Sequence, residues 1–472
     1  MKPTAIGLLL LFVALSAASF IDSDEDLAIT IYNNDFALVK DTRTIQFDQG
    51  ISQLYFDDVA STIETTTVMF SPEDKAANVT VYEQNLENNL ADKYALLKKY
   101  IGKVVSIDTS LGQTTRNYRG ELLSYSPAFI LRTSTGVNIF ESAQVINVAA
   151  LPEGMILKPT LVWQVYSEQE QRIKCQVAYR ATGFSWKSDY VLTINEDEDM
   201  GQFAGWVSID NNSGKKYIQA KLKLIAGDVN TVQPVVYRRS FAMKSMAMMD
   251  SMAAPESNTF SEKSFADYHM YTLPRRVNIN ESSQKQIEFI PRTDAAKLTK
   301  YYAININAGG YEEAELKATN TIKLLNSELQ GLGMPLPKGT VRVFKNDTDG
   351  ALEFIGEDQI QHTPKNENIT LKTGHAFDIT AKKTVSKRSD VSNGYDATLR
   401  LEINNRGDGK KPIDVRVELN NYYGDNLQIV QQKSLSNLLL ARESANKYLL
   451  QGRIAAGKSI TIEWDESYRS GK

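Results

Sequence analysis

The chain has 472 residues, 42% of them hydrophobic and 23% charged, with a formal net charge of −4. That length allows two to four domains with ordinary globular cores, and the slight acidity supplies neither the basic footprint of a nucleic-acid binder nor a polybasic patch for anionic lipid. A single cysteine, Cys175, excludes an internal disulfide, so stability has to come from core burial.

Lys2 precedes an apolar run over residues 6–15, which the small residues Ser16, Ala17, Ala18 and Ser19 follow. This is the pattern of a secretory signal peptide over residues 1–18. The run is too short to span a bilayer, and the rest of the sequence contains no apolar run of that length, so a transmembrane segment is not expected. The mature chain is expected outside the cell or at its surface, or in the periplasm of a bacterium.

Residues 19–88 read as an N-terminal β region. Two short strands flank Asn33-Asn34, and 42–47 and 51–56 repeat the pattern around Asp48-Gln49-Gly50. Leu90, Tyr94, Leu97 and Ile101 recur at helical spacing, predicting a short amphipathic helix. Five short strands with Gly-marked turns come next, so 89–150 reads as a small SH3- or Sm-like barrel. Sm-like barrels often bind RNA. Here Lys and Arg are sparse and no aromatic stacking row appears, so nucleic acid is not an expected partner.

Residues 151–237 read as a central β domain holding Trp186 and Trp206. Ala220, Leu222 and Leu224 alternate with Lys221 and Lys223, and Asn211-Asn212-Ser213-Gly214 is expected to join that run to 206–209 as a hairpin. Both Trp lie in strand-like runs and are expected in the core rather than on a sugar-stacking platform. Residues 238–266 contain Met243, Met246, Met248, Met249 and Met252 among many Ser and Ala without a steady period, so they read as an exposed linker.

Residues 267–472 read as a C-terminal β-sandwich region. Tyr395, Ala397, Leu399, Leu401 and Ile403 alternate strictly, as do Ile413, Val415, Val417 and Leu419, and the two runs are expected to form an antiparallel hairpin. Ile460, Ile462 and Trp464 form a last strand. The fold class expected for the whole is all-β: multidomain β-sandwich, an inserted small barrel, and few short helices.

Little in the chain suggests catalysis. His269, His362 and His375 are far apart, and no HExxH, GxSxG or P-loop occurs. Asp189 and Asp228 would have to meet in a cleft to act as an acid–base pair, and structural hydrogen bonding is the ordinary use of such residues. Cys175 alternates with polar neighbours as a buried strand residue does and lacks an activating partner. The four acids 196–199 cannot all converge from an extended chain and read as a solvated loop. Asp347-Thr348-Asp349-Gly350 resembles a calcium loop, but Lys345 and Gly356 fill its first and last ligand positions, so it reads as a hairpin turn. No residue is nominated as catalytic, cofactor-binding or metal-ligating, and no cofactor is expected. Five Asn-x-Ser/Thr sequons, at Asn78, Asn211, Asn280, Asn346 and Asn368, are candidate glycosylation sites in a secreted chain. Arg406-Gly407-Asp408 can dock integrin-type receptors, although these are also ordinary loop residues.

Several segments together carry a resemblance. They are Leu157-Lys158-Pro159-Thr160-Leu161-Val162-Trp163, Gly183-Phe184-Ser185-Trp186-Lys187-Ser188-Asp189-Tyr190, Leu222-Lys223-Leu224-Ile225-Ala226-Gly227-Asp228-Val229-Asn230, Tyr268-His269-Met270-Tyr271-Thr272-Leu273-Pro274 and residues 331–337. In this order they resemble a domain-of-unknown-function family related to mucoidy inhibitor A, over roughly residue 27 to the end. Larger members carry a coiled coil before this domain, where this chain has the small barrel. The resemblance implies a mainly β fold of sandwich domains and brings no catalytic residues. The expectation is a secreted or cell-surface, non-enzymatic binding or structural protein, with an extracellular protein or glycan as partner. The alternative is an extracellular hydrolase acting on glycan or peptide.

Overall fold

The computed structural model describes residues 26–88, 93–111, 114–150, 158–227, 229–230, 260–309, 313–347, 349–407, 412–431, 440–444 and 446–470. The expected signal peptide, residues 238–259 of the expected linker, Asp228 and Asp408 lie outside them. Among the described residues strands hold 71% and helix 4%, in several sheets, so the fold is all-β. Among the described residues no helix is long and apolar enough to cross a membrane. The chain forms two compact units. One comprises Met1–Ser185, Asp210–Leu224 and Arg275–Lys285, the other Trp186–Ile209, Ile225–Pro274 and Gln286–Lys472.

In the first unit, Tyr217–Ala226, Asp26–Tyr32, Phe36–Phe47, Gln171–Thr182 and Met69–Pro72 lie side by side in that order. The expected hairpin at Asn33-Asn34 forms, pairing Ile31 with Ala37 and Asp26 with Thr42. Its turn puts Asp35 at φ 62°, a left-handed conformation that Asp and Asn adopt more readily than most residues. Gly50–Phe56 does not extend this sheet. It pairs with Thr160–Ser167, whose other edge takes Val79–Glu87. Leu54, Phe56 and Trp163 are fully buried there, and the Trp163 indole nitrogen donates to Gln84 Oε1 at 2.9 Å.

Glu87 pairs with Thr160, so everything between them is an insertion into one two-strand ladder. The insertion holds the helix and the five strands expected there, joined in one five-stranded sheet. Helix Lys93–Tyr100 leads into five strands, Val104–Leu111, Thr114–Ser124, Phe129–Thr133, Gly136–Phe140 and Val145–Asn147. The last strand lies beside the first, and the other four follow in chain order. The insertion has its own core of Leu97, Tyr100, Val105, Ile107, Leu122, Phe129 and Leu131. Of the residues expected on the helix's apolar face, Leu97 is buried, whereas Tyr94 and Ile101 are exposed. Tyr100 takes their place in the core.

Two expected hairpins are corrected. Met200–Asn211 belongs to a thirteen-stranded sheet and Tyr217–Ala226 to a seven-stranded one, so Asn211-Asn212-Ser213-Gly214 changes sheets instead of reversing within one. Gly394–Asn405 pairs with Asn368–Val391 and Ser459–Arg469. Ile413–Asn420 pairs instead with Lys447–Ile454 and, in parallel, with Ser283–Asn307. The two alternating runs bury their apolar faces in one core, with Leu399, Leu401 and Ile403 on one side and Val415, Val417 and Leu419 on the other. Alternation identifies the buried face of a strand and leaves open which strand lies beside it. The final strand Ser459–Arg469 forms as expected, with Ile462 and Trp464 buried. Asp347–Gly350 is a hairpin turn, with Gly350 at φ 84° and its nitrogen donating to the Asp347 carbonyl at 2.9 Å. The end of the expected linker is strand: Ser261–Phe265 pairs with Tyr268–Thr272.

The interior of the first unit is also ionic. Asp41 and Arg43, two apart on one strand, point to the same side and are buried. Arg43 grips Asp41 with Nε at 3.1 Å and Nη2 at 2.7 Å and lies 4.0 Å over the Phe56 ring. Buried Lys215 completes the group, with its Nζ 3.5 Å from Asp41 and 3.4 Å from the Asp58 carboxylate. It also donates to the Asp58 carbonyl. Removing one partner of a buried ion pair leaves charge uncompensated in a low dielectric. Asp41→Asn should therefore destabilise the first unit by about 3–5 kcal/mol in urea unfolding. A loss below about 1 kcal/mol would mean that water reaches the cluster.

Burial alone would raise the Asp58 pKa, but Lys215 and Lys158 more than offset it and hold the carboxyl below its ordinary value of 3.8. A depressed folded pKa contributes stability that is present above the unfolded value and lost as pH falls through the folded one. Melting of the first unit should therefore fall as pH drops below about 4, and Asp58→Asn should flatten that dependence. An unchanged acid limb in the variant would remove Asp58 from the account.

Candidate functional site

In the second unit, strand Asn368–Val391 runs antiparallel to Ala314–Leu325 with a large irregularity. His375 faces Thr319 and Thr380 faces Lys317, so residues 376–379 stand opposite Ala318 alone. Surplus residues on one strand must leave the ladder, and such bulges re-aim side chains and concentrate beside functional sites. Here Ile379 turns inward to the core and Phe377 is driven outward until 96% of it is exposed. The base of the bulge is pinned where the Arg406 nitrogen donates to the Asp378 carbonyl at 2.9 Å.

A cleft lies on each side. One, of about 340 Å³, is lined by Tyr302, Thr373, Asn405, Gly407 and Ile413. The other, of about 800 Å³, is lined by Leu316, Lys317, Lys382, Glu402 and Arg406. His375 and Phe377 border both. His375 Nδ1 lies 3.4 Å from Thr319 Oγ1. The arrangement offers an aromatic knob, backbone left out of a ladder and charges of both signs, which suits gripping a polypeptide surface. Sequence reasoning missed it. Gly374 was the available signal, because isolated glycines inside strands mark bulges.

A third cleft, of about 460 Å³, holds Asp396, Asp465 and Glu466. Asp396 is held below its ordinary pKa by hydrogen bonds from Ser467 and Arg469. Burial raises Glu466 despite donors from Trp464 and Gly309. These two carboxyls do not face each other. Glu466 is paired with Ala397 and Asp396 with Ser467, and adjacent positions point to opposite sides of a sheet. Glu466 and Ala397 are buried, whereas Asp396 is on the outer side with Arg469, 2.8 Å away.

The residues singled out in the sequence take varied places. His269 Nδ1 is 2.7 Å from Glu262 on the neighbouring strand. His362 Nδ1 accepts from the Lys338 nitrogen at 3.2 Å. Asp189 is held by Arg342 and Ser208, and its expected partner lies outside the described residues. Glu198 of the acidic run is clamped by Lys300 at 2.6 Å and Lys345 at 2.7 Å, so it is half-buried rather than solvated. Among the described residues no group of three or more His, Cys, Asp or Glu could hold a metal ion. Arg406 and Gly407 border the bulge clefts.

Asn78, Asn280, Asn346 and Asn368 are exposed. Asn211 is fully buried, and its Nδ2 donates to the carbonyls of Lys215 and Asn280 at 2.8 and 2.9 Å. A glycan would replace the nitrogen that makes both bonds. Trp186 is buried as expected. Trp206 is not: 40% of it is exposed, because it falls on the outward set of its strand while Phe203, Val207 and Ile209 take the inward places.

No family model matches this chain, and no curated protein matches it.

Cys175 is buried, and burial, helped by Glu73, pushes its thiol up to about 12. The thiolate is the reactive form. An aromatic disulfide reagent at pH 8 should label no thiol in the native protein and one in denaturant. Rapid native labelling would show the strand opening around Cys175.

Proposed function

We propose that this chain is a secreted or cell-surface, non-enzymatic binding and structural protein that grips a protein partner with the bulge around Phe377. The observation that carries this reading is Phe377, 96% exposed at the tip of a bulge with a cleft on each side. An exposed aromatic gains most from burial at an interface, and such anchors are enriched among residues that dominate binding. The bulge base is fixed by backbone bonding, so presenting the knob costs little ordering on association.

The hydrolase reading has less support. Its best candidate carboxyls, Asp396 and Glu466, point to opposite sides of one sheet, and glycoside hydrolysis needs both on one scissile bond. The motif set resembling the mucoidy-inhibitor-A-related family adds no catalytic residue to it. Export fits the apolar leader, and the four exposed sequons are the acceptors expected to carry glycans.

Phe377→Ser tests the proposal. An exposed side chain contributes little to stability, so melting should stay within about 2 °C of wild type. Recovery of the partner from surface extracts of the native cells should fall by more than roughly tenfold, as loss of an anchor residue implies. Equal recovery by wild type and variant would refute the bulge as the docking element.

A further inference from the structure

Away from the Phe377 bulge, the outer face of the sheet around Trp206 leaves a large aromatic 40% exposed. Gly339–Asn346, Phe184–Ile194, Met200–Asn211 and Ser283–Asn307 are successive neighbours there. Phe184–Ile194 alternates buried and outward residues, and Met200–Asn211 does so up to Val207, beyond which Ser208 is buried as well. Trp206 stands outward, with a row of polar groups beside it that are already bonded to one another. Gln286 Nε2 donates to Ser208 Oγ at 3.3 Å. Ser208 Oγ donates to Asp189 Oδ2 at 3.1 Å. Arg342 Nη1 donates to Asp189 Oδ1 at 3.1 Å, and its Nε lies 3.4 Å from Glu357.

An indole left partly in water beside fixed carboxylate, guanidinium and amide groups matches one ligand chemistry in particular. A pyranose ring has an apolar face of C–H groups to lay on an aromatic and an equatorial rim of hydroxyls that both donate and accept. Aromatic bodies with a few placed polar groups are the general form of small-ligand recognition. The charge balance narrows the class. Lys187 and Arg342 stand against Asp189, Asp210, Glu288 and Glu357 on the outward positions, a negative balance that disfavours a sulfated or phosphorylated chain. An open sheet face also suits an extended chain more than a single enclosed sugar. We propose that the Trp206 face binds an uncharged glycan, with Trp206 as stacking platform and Asp189, Gln286 and Arg342 as hydroxyl partners.

The test uses the full chain on immobilised hexamers of β-1,4-linked glucose, of β-1,4-linked N-acetylglucosamine and of α-linked mannose, with a sulfated hexamer alongside. Wild type should be retained on at least one neutral hexamer, with little dependence on salt. Trp206→Ala should weaken that binding roughly tenfold or more, the worth of one aromatic stacking contact, and Trp206→Phe should keep most of it. Phe377→Ser should bind the glycan as wild type does, which separates this surface from the bulge. Should Trp206→Ala fold poorly, Gln286→Ala, at an exposed position, carries the test with the same expected direction. No retention on any neutral hexamer, a preference for the sulfated one, or undiminished binding by the folded variants would each overturn the proposal.

Discussion

One carboxylate in the first unit sets the path of the chain around it. Asp41 is enclosed and holds two cations, Arg43 from its own strand and Lys215 from far along the sequence. A buried cation that loses its counter-charge is costly enough to dictate where its backbone goes. The neighbours of Lys215 are accordingly drawn in with it: Asn211, Ser213 and Tyr217 are fully buried. The Ser213 carbonyl accepts from the Ser61 nitrogen at 2.9 Å, and Asn211 Oδ1 accepts from Ser213 Oγ at 2.8 Å. This stretch is a polar anchor inside the protein, although its composition is that of a surface turn.

That explains how the sequence could be legible in one respect and misleading in another. Alternation identified strands and their buried faces well, from Asp26–Tyr32 to Ser459–Arg469, and the barrel's helix and five strands could be read in order. Strand partners were harder. Asn211-Asn212-Ser213-Gly214 has the residues of a tight turn, and only Lys215, a charge with a distant partner, distinguishes it from one. Residues 404–412 likewise look like a hairpin loop, yet the strands Gly394–Asn405 and Ile413–Asn420 on either side of them are not paired. Neighbouring strands in sequence are the default partners in a sheet, and long-range ion pairs and shared cores override that default without leaving a local trace.

Candidate surface residues were the least legible. Trp186 and Trp206 occupy similar strand-like runs, yet one is buried and the other stands in water. The difference is the phase of alternation. Gly201, Phe203 and Gly205 are buried, and the odd-numbered set continues inward through Val207 and Ile209, leaving the even-numbered Trp206 outside. A glycine counts as polar or neutral in a pattern search, so Gly201 and Gly205 masked the phase. Phe377 was hidden for a related reason: a bulge is a miscount between two strands, and a single strand's sequence contains no record of its partner's length.

The barrel's position between two paired strands has a consequence for the order of events during folding. About 70 residues separate Glu87 from Thr160, and closing so long a loop before any reward is entropically unfavourable. The barrel's contacts are local by comparison, with each strand except the last beside its predecessor, and local topologies form faster. Once folded, it leaves fewer than about 20 residues to be closed between the two strands, lowering the closure cost by roughly 1 kcal/mol. The insertion thus acts as a clasp that assembles first and delivers Thr160–Ser167 to the edge of Val79–Glu87.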